Sequence, residues 1–118
     1  MKVDTSIGSK LAEIPESVRS IEAAGYDGVR TAELNHDPFF PLVLAAEHTE
    51  KLELATSIAV AFARSPMVVA EECYDLQHSS GGRFILGLGS QVRAHNVRRF
   101  SVPWSAPVPR MREYIEAL

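Results

Sequence analysis

The feature that most constrains this sequence is the repeated alternation of a short apolar segment with a longer segment of helical spacing. Strand-like segments cover residues 2–7, 28–32, 52–60 and 83–89, and a helix-like stretch follows each of them. This alternation is typical of right-handed βαβ units, which place their strands parallel in one sheet. The sequence therefore predicts an α/β fold with four parallel strands and roughly four helices.

Local signals at the helix ends agree with this assignment. In Asp37-Pro38 and Ser65-Pro66, a side-chain acceptor precedes a proline suited to the first helical turn. Gly25 lies where a left-handed residue would end the first helix. Between residues 90 and 109 no period is present, and an irregular segment is expected. The helical spacing also predicts inward-facing stripes, which comprise Val18 and Ile21, then Phe39, Leu42, Val43 and Ala46, then Val69, Cys73 and Leu76, and finally Met111, Tyr114, Ile115 and Leu118.

Composition excludes several classes of protein. Twelve Lys and Arg against 15 Asp and Glu give a net charge of −3, which argues against a nucleic-acid-binding surface. No apolar run approaches the roughly 18 residues that a membrane span needs. The single cysteine and the lack of a signal-peptide core at the start favour a cytoplasmic location. The four histidines and Cys73 lack the spacing of a metal site, so no metal is predicted.

Polar residues follow three of the predicted strands at the point where each strand ends. Asn35 and His36 come after the second strand, Ser57 ends the third, and Ser90 and Gln91 follow the fourth. The carboxyl ends of parallel strands form the ligand-binding edge of α/β barrels and open α/β sheets. A site for a small-molecule substrate is therefore expected at this edge.

Three stretches of the sequence resemble the luciferase-like monooxygenases, which are TIM-barrel oxidoreductases that use a flavin or a deazaflavin. They are GYDGVRTAE leading into NHDPF at 25–39, LATSIA with RSP at 54–66, and SSGGRFILGLG at 79–89. The resemblance extends over nearly the whole chain and is greatest for members that use coenzyme F420. It implies an oxidoreductase that carries out monooxygenation or hydride transfer, with F420 as the first choice of cofactor and FMN as the second.

The resemblance gives a role to residues at the ends of the second and third strands. Asn35 and His36 match a pair that faces the cofactor ring, so His36 is the candidate for moving a proton or polarising the ring. Ser57 and Ile58 match a bulge whose cis peptide bond lies behind the ring. The residues alone also allow plainer interpretations. In these, Asn35 and Asp37 compete to cap the second helix, His36 is an ordinary loop residue, and the third strand ends without a bulge.

The segment after the fourth strand is also given a role by the resemblance. Gly89, Ser90 and Gln91 match a stretch that approaches the cofactor closely, for which glycine is suited because it lacks a Cβ. His95 matches a position that binds the cofactor, although a loop histidine is also commonly just solvated. Some deazaflavin-dependent sugar dehydrogenases carry a catalytic glutamate where this chain has Val92. Their acid–base mechanism and sugar substrate are therefore not expected here.

The number of strands does not fill a TIM barrel, which takes about 250 residues and eight strands. The resemblance therefore implies the N-terminal half of a (β/α)8 barrel, (βα)4, over residues 1–118, ending just after the next helix starts. Three interpretations follow: a fragment with little activity alone, two half-barrels that associate as a homodimer, or a non-catalytic half-barrel that binds a partner. In the first, the partner is the missing C-terminal half-barrel. The alternative enzyme of the same fold is an FMN-dependent alkane or sulfonate-type monooxygenase.

Overall fold

The computed structural model describes residues 1–118 and contains six short strands and five α-helices. The strands are β1 (Asp4–Ser6), β2 (Gly28–Thr31), β3 (Glu53–Thr56), β4 (Ala59–Val60), β5 (Phe84–Ile85) and β6 (Leu88–Gly89). The helices are α1 (Ile14–Ala23), α2 (Phe40–His48), α3 (Pro66–Ser79), α4 (Arg93–Arg98) and α5 (Pro107–Glu116). Strands and helices alternate as predicted, but the third and fourth predicted strands are each divided in two.

All paired strands are parallel. β1, β2, β3 and β5 form one sheet in that order, and β4 pairs with β6 in a second, smaller sheet. Thr31 lies opposite Thr56 in the first sheet, and Ala59 lies opposite Leu88 in the second. The connections β1–β2, β2–β3 and β3–β5 each contain a helix, as parallel neighbours require. The predicted parallel α/β arrangement is confirmed, with β1 and β5 as the edges of the larger sheet.

The two divided strands are interrupted side by side, β3–β4 at Ser57–Ile58 and β5–β6 at Leu86–Gly87. The Thr56 hydroxyl donates to the Gly87 carbonyl at 2.8 Å and accepts from the Gly87 N–H at 2.9 Å. A Cβ on Gly87 would lie only 2.0 Å from the Thr56 carbonyl oxygen. The hydroxyl therefore pairs the Gly87 N–H and shares the Gly87 carbonyl with the Ala59 N–H, which donates to it at 2.8 Å.

The hydrophobic core lies between the larger sheet and helices α1, α2 and α3. Val18, Leu42 and Leu76, one from each helix, are buried together with Val29 and Leu54 of the sheet. Burying such a side chain stabilises the fold by about 1.5–3 kcal/mol. The inward stripes predicted for α1 and α3 are confirmed in direction.

The inward stripe of α2 differs from the prediction at Val43, which is exposed. The buried face of α2 contains Leu42, Ala45 and Ala46, and Val43 lies about 100° around the helix from Leu42. The helix also begins at Phe40 rather than directly after Asp37. The Asp37 carboxylate accepts the N–H groups of Phe39 and Phe40 at 2.8 and 3.4 Å, as a capping residue would, and it also accepts from the guanidinium of Arg64.

The segment predicted to be irregular contains α4, and α5 begins at Pro107, four residues before the predicted Met111. α4 has no apolar period, because Asn96 is its buried residue. Tyr114 of α5 is buried as predicted, whereas Ile115 of α5 and Leu118, which lies beyond the end of the helix, are exposed. None of the five helices combines the length and the apolar character needed to cross a membrane.

Arg83 ties together the elements at the amino end of the sheet. Its guanidinium donates to the carbonyls of Ala46, Thr49, Leu52 and Ser80 at 2.7–3.0 Å. Burial lowers the pKa of this guanidinium. Ala46 and Thr49 lie at the end of α2, where the last carbonyls lack intrahelical partners. Arg83 therefore caps α2 and fixes it to β3 and β5.

Replacing Gly87 with alanine should destabilise the protein strongly, because the new methyl group would meet backbone rather than a movable side chain. We expect Gly87→Ala to lower the free energy of unfolding by about 3 kcal/mol or more. Gly8→Ala is the matched control, since a Cβ there has no neighbour within 4 Å, and its effect should stay within about 0.5 kcal/mol. Urea unfolding followed by circular dichroism measures both. Equal stabilities of the two variants would contradict the close contact.

Glu22 of α1 connects that helix to the loop before β3. Its carboxylate accepts the backbone N–H groups of Glu50, Lys51 and Leu52 at 3.0, 2.7 and 3.2 Å. Burial acts to raise the pKa of this carboxyl, but the three N–H donors outweigh it and hold the pKa below its usual 4.5. The ionised carboxylate therefore stabilises the fold above pH 4.5, and that contribution is lost as the pH falls.

Replacing Glu22 with glutamine should lower stability at pH 7 and have little effect in acid. The amide keeps an acceptor but loses the charge, so we expect a loss of about 1 kcal/mol at pH 7. As the pH falls through the lowered pKa of Glu22, the wild type becomes protonated as well, and the difference should narrow. Glu16→Gln removes an exposed carboxylate from the same helix and serves as the control. Thermal unfolding in a series of buffers from pH 7 down to about pH 2 gives the comparison, and a loss of stability in Glu22→Gln that stays the same across the whole series would refute this role.

Candidate functional site

A groove of about 340 Å³ lies at the carboxyl ends of β1 and β2. It is bounded on one side by the residues that follow β1 and on the other by the loop that follows β2. Asn35 and His36 both line it, and both side chains are exposed and free of hydrogen bonds within the protein. The groove is lined by Ser6, Ile7, Gly8, Ser9, Thr31, Ala32, Leu34, Asn35, His36, Asp37 and Pro41. The structure thus places two of the predicted site residues in one concave surface.

Ser57 and Ile58 lie next to this groove, in the interruption between β3 and β4. The peptide bond between them is cis, as the resemblance implies. The Ser57 N–H donates to the Thr31 carbonyl at 2.6 Å, and the Ile58 carbonyl accepts from the Glu33 N–H at 3.2 Å. Two backbone hydrogen bonds therefore join the Ser57–Ile58 segment to the strand and loop that carry Asn35 and His36.

Gly89 continues this surface from β6. A Cβ on Gly89 would lie 2.6 Å from Cδ1 of Ile58, so the Ile58 side chain lies directly over the glycine. We call the surface formed by Ser57, Ile58 and Gly89 the ledge. Gln91, two residues further, has a φ of 56°, in the left-handed region that non-glycine residues rarely adopt. Such backbone conformations cluster at functional sites.

His95 is not brought into the groove or the ledge. It lies on the exposed side of α4, whereas its neighbour Asn96 is completely buried. The Asn96 amide donates to the carbonyls of Ser90 and Val92 at 2.8 and 3.2 Å. Its Oδ1 atom is buried without a hydrogen-bond partner. Asn96 therefore fixes the segment after β6, a role that sequence reasoning missed because α4 had no helical period to orient it.

Three charged side chains beside the groove form a network that the sequence did not predict. Arg64 donates to the carboxylates of Glu33 at 2.8 Å and Asp37 at 2.7 Å. Glu33 also accepts the Val60 N–H at 2.7 Å. Arg64 was visible only as the residue before the Ser65 cap. Ionic pairing between residues about 30 positions apart leaves no periodic signal in a sequence.

Burial and pairing set the charges in this region. Burial opposes the charge of Arg64, but hydrogen bonds from its guanidinium to Glu33 and Asp37 raise the pKa of Arg64 above its usual value. Burial raises the pKa of Glu72, whose carboxylate is 4.0 Å from the same guanidinium. Burial and the nearby Glu72 charge raise the pKa of the Cys73 thiol to about 11, so Cys73 is not a nucleophile at neutral pH. No group of three or more His, Cys, Asp or Glu side chains is placed to hold a metal ion.

The sequence as a whole matches the luciferase-like monooxygenase family over residues 2–118. The chain belongs to the luciferase-like monooxygenase family. An uncharacterized protein of Mycobacterium tuberculosis is 56% identical over all 118 residues of this chain, which correspond to 35% of that protein. A second protein of the same organism, named as a coenzyme F420-dependent oxidoreductase, is 35% identical over 98% of this chain and 35% of its own length. The chain thus spans about a third of the curated relatives it matches.

Solved structures of luciferase-like proteins have the same fold. The coenzyme F420-dependent tetrahydromethanopterin reductase of Methanopyrus kandleri matches with a TM-score of 0.83 at 22% identity, covering 98% of this chain and 38% of that one. The FMN-bound oxygenating component of 3,6-diketocamphane monooxygenase from Pseudomonas putida matches with a TM-score of 0.85 at 15% identity, with the same coverage. These similarities confirm the fold class: the chain corresponds to the N-terminal part of a luciferase-like TIM barrel.

Replacing Gly89 with alanine should reshape the ledge without unfolding the protein. The added methyl group would meet the end of the Ile58 side chain rather than backbone, so we expect a cost of about 1 kcal/mol, well below that of Gly87→Ala. The Ile58 Cδ1 methyl signal in a 1H–13C spectrum should move, because the side chain must change position. An unchanged Ile58 signal would show that Gly89 and Ile58 are not in contact.

Proposed function

We propose that this chain forms part of the active site of a coenzyme F420-dependent oxidoreductase, in which the ledge lies behind the cofactor ring and His36 faces the reactive side of the ring, where the substrate would bind. The observation that carries the proposal is the meeting of two features at one sheet edge. The groove holds a free imidazole, and the adjoining ledge presents a glycine beneath Ile58. The 35% identical relative named for F420 supports this choice of cofactor.

The residues present fit a flat, partly polar cofactor. Because Gly89 has no side chain, the Ile58 side chain can lie over it, which gives the ledge an apolar surface. Ligand pockets commonly have volumes of 300–1,000 Å³, a range that includes the groove of about 340 Å³ beside it. The amide of Asn96 fixes the backbone of Ser90 through its Nδ2 atom, while its Oδ1 atom is a buried acceptor without a partner. Ser57, Ile58, Gly89, Ser90 and Gln91 would thus hold the ring, together with Asn35.

The side chains at this edge suggest which parts of the reaction the cofactor would perform and which the protein would perform. F420 would supply hydride transfer, and that redox chemistry is its own. The imidazole of His36 has no internal partner and can donate or accept a proton at the reacting substrate. Asn35 beside it can orient a polar group, because an amide both donates and accepts. The apolar side chain of Ile58 would exclude water from one face of the ring.

FMN is the second candidate cofactor. The solved structure that matches with a TM-score of 0.85 contains FMN, which supports a flavin as the alternative cofactor. An FMN-dependent alkane or sulfonate-type monooxygenase is the corresponding enzyme. The non-catalytic alternative is a half-barrel module that binds a flavin-like ring but catalyses no reaction. His36 favours the enzymes, because a passive binding surface has no need of a free imidazole.

The remaining walls of the site must come from outside the described residues. β1 and β5 are open edges, and unpaired edges invite further strands. A C-terminal half-barrel fits the threefold greater length of the curated relatives, while a second copy of this chain would give eight strands as a homodimer. The proposal includes a small-molecule substrate at the completed edge and the cytoplasmic location that the single cysteine favours.

Titration with F420 tests the proposal. Binding of oxidised F420 to this chain should change the absorbance and fluorescence of the deazaflavin. His36→Ala should weaken that binding about tenfold, or ~1.4 kcal/mol. His78→Ala is the matched control, because His78 is exposed at the end of α3, and it should bind like the wild type.

Parallel titration with FMN distinguishes the two cofactors, and light scattering on the same samples distinguishes monomer from homodimer. Tighter binding of FMN than of F420 would favour the flavin enzyme. If the spectra of F420 and FMN stay unchanged on titration, whether the chain is a monomer or a dimer, the proposed cofactor site is wrong. It is also wrong if His36→Ala and His78→Ala bind F420 with equal affinity.

A further inference from the structure

The turn between β2 and α2 is held at its two ends and free between them. Glu33 and Asp37 are its ends, and the three residues between them, including Asn35 and His36, are exposed. Glu33 is buried, with a side chain only 4% exposed. Both end residues direct a carboxylate oxygen to the same guanidinium, that of Arg64.

We propose that Arg64 is the positioning residue of the Asn35–His36 turn. It lies just after the ledge, beyond β4, and reaches back to the turn across about 30 residues of sequence. By binding Glu33 and Asp37 simultaneously it fixes the distance between the two ends of the turn. Arg64 lies outside the lining of the groove, so its effect on chemistry passes through His36.

The geometry suits arginine specifically. Nη1 donates to Glu33 and Nη2 donates to Asp37, so the two prongs of one planar group bind two different carboxylates. The guanidinium also lies over the ring of Phe39, with its central carbon 5.4 Å from the ring centroid. Its side chain is 14% exposed, so water competes little for these bonds. A lysine offers one compact charge and could not span both carboxylates.

Each of the two carboxylates accepts a backbone N–H as well as the guanidinium of Arg64, and these second bonds fix Glu33 and Asp37 to different elements. Glu33 accepts the Val60 N–H, which fixes it to β4 at 2.7 Å. Asp37 accepts the Phe39 N–H at 2.8 Å, which fixes it to the start of α2. Arg64 therefore links β4 and α2 through the turn that carries His36. This role in positioning His36 for reaction rests on the function proposed above, but the ordering of the turn does not.

Backbone 15N relaxation of this chain tests the inference without any cofactor. The order parameters of residues 34–36 should be near 0.85 in the wild type and fall below about 0.6 in Arg64→Gln. Residues of β2 and β3 should keep their values. Arg19→Gln, which removes an exposed arginine with no hydrogen bond or ion pair in the structure, is the control and should leave the turn unchanged. Arg64→Lys should be intermediate, because it restores the charge but one carboxylate at a time.

Asp37→Asn supplies a second variant if Arg64→Gln does not fold. Its amide oxygen can still accept the Phe39 N–H, while the ion pair to Arg64 is lost and Glu33 keeps its bond to Arg64. Residues 34–36 should then lose order locally. If these residues stay ordered in every variant that folds, Arg64 does not position the turn and the inference is overturned.

F420 binding supplies a second readout that separates positioning from general stability. Arg64→Gln should weaken binding about tenfold in the wild-type background and have no further effect in the His36→Ala background, because Arg64 acts through the turn. Equal weakening in both backgrounds would show that Arg64 acts independently of His36. If the wild type does not bind F420 at all, the proposed function fails, while the relaxation experiment still decides the role of Arg64.

Discussion

The contact between Thr56 and Gly87 is the constraint on which the rest of the structure depends. The two strands approach so closely that only a residue without a side chain fits opposite the Thr56 carbonyl. The Thr56 hydroxyl binds both backbone groups of Gly87, and the Ala59 N–H donates to the same Gly87 carbonyl. Because both strands are interrupted at the same level, their continuations pair separately as β4 and β6. That separate pair carries Ile58 and Gly89 to the edge where the groove lies.

The two ends of the sheet are built from different interactions. At the amino end, Arg83 and Glu22 bind backbone carbonyls and N–H groups, so neutral partners surround each charge. At the carboxyl end, Arg64 forms ion pairs with Glu33 and Asp37. The amino end thus serves to join helices to strands, which is a structural task. The carboxyl end orders a loop whose exposed residues remain available for chemistry.

Sequence reasoning succeeded where the information is local. Ser65 caps α3 through a hydrogen bond to the Val68 N–H, as the Ser-Pro pair predicts, and Gly25 has a φ of 85°. The parallel order of the strands followed from their alternation with helices. The cis bond between Ser57 and Ile58 was accessible only through resemblance to a family, since an apolar run gives no indication of it.

Prediction failed where the determining partner is distant in sequence or polar. Arg64 and Glu33 form an ion pair although they are 31 residues apart in the sequence, and no helical or strand periodicity relates positions so far apart. α4 was missed because its buried residue is Asn96, so apolar periodicity could not indicate its inward face. His95 was named through the resemblance rather than through a period, and it lies on the exposed side of α4. Val43 was assigned to the core because the period fitted, although the packed face of α2 lies on the neighbouring positions.

The central claim is that a redox cofactor binds at the carboxyl edge formed by the groove and the ledge. Amide chemical-shift mapping of this chain with oxidised F420 tests it most directly. The account predicts that the perturbed amides belong to residues 34–37, 57–58 and 89–91. Perturbations confined to the amino end, around residues 49–53 and 80–83, or a spectrum that does not change, would contradict it.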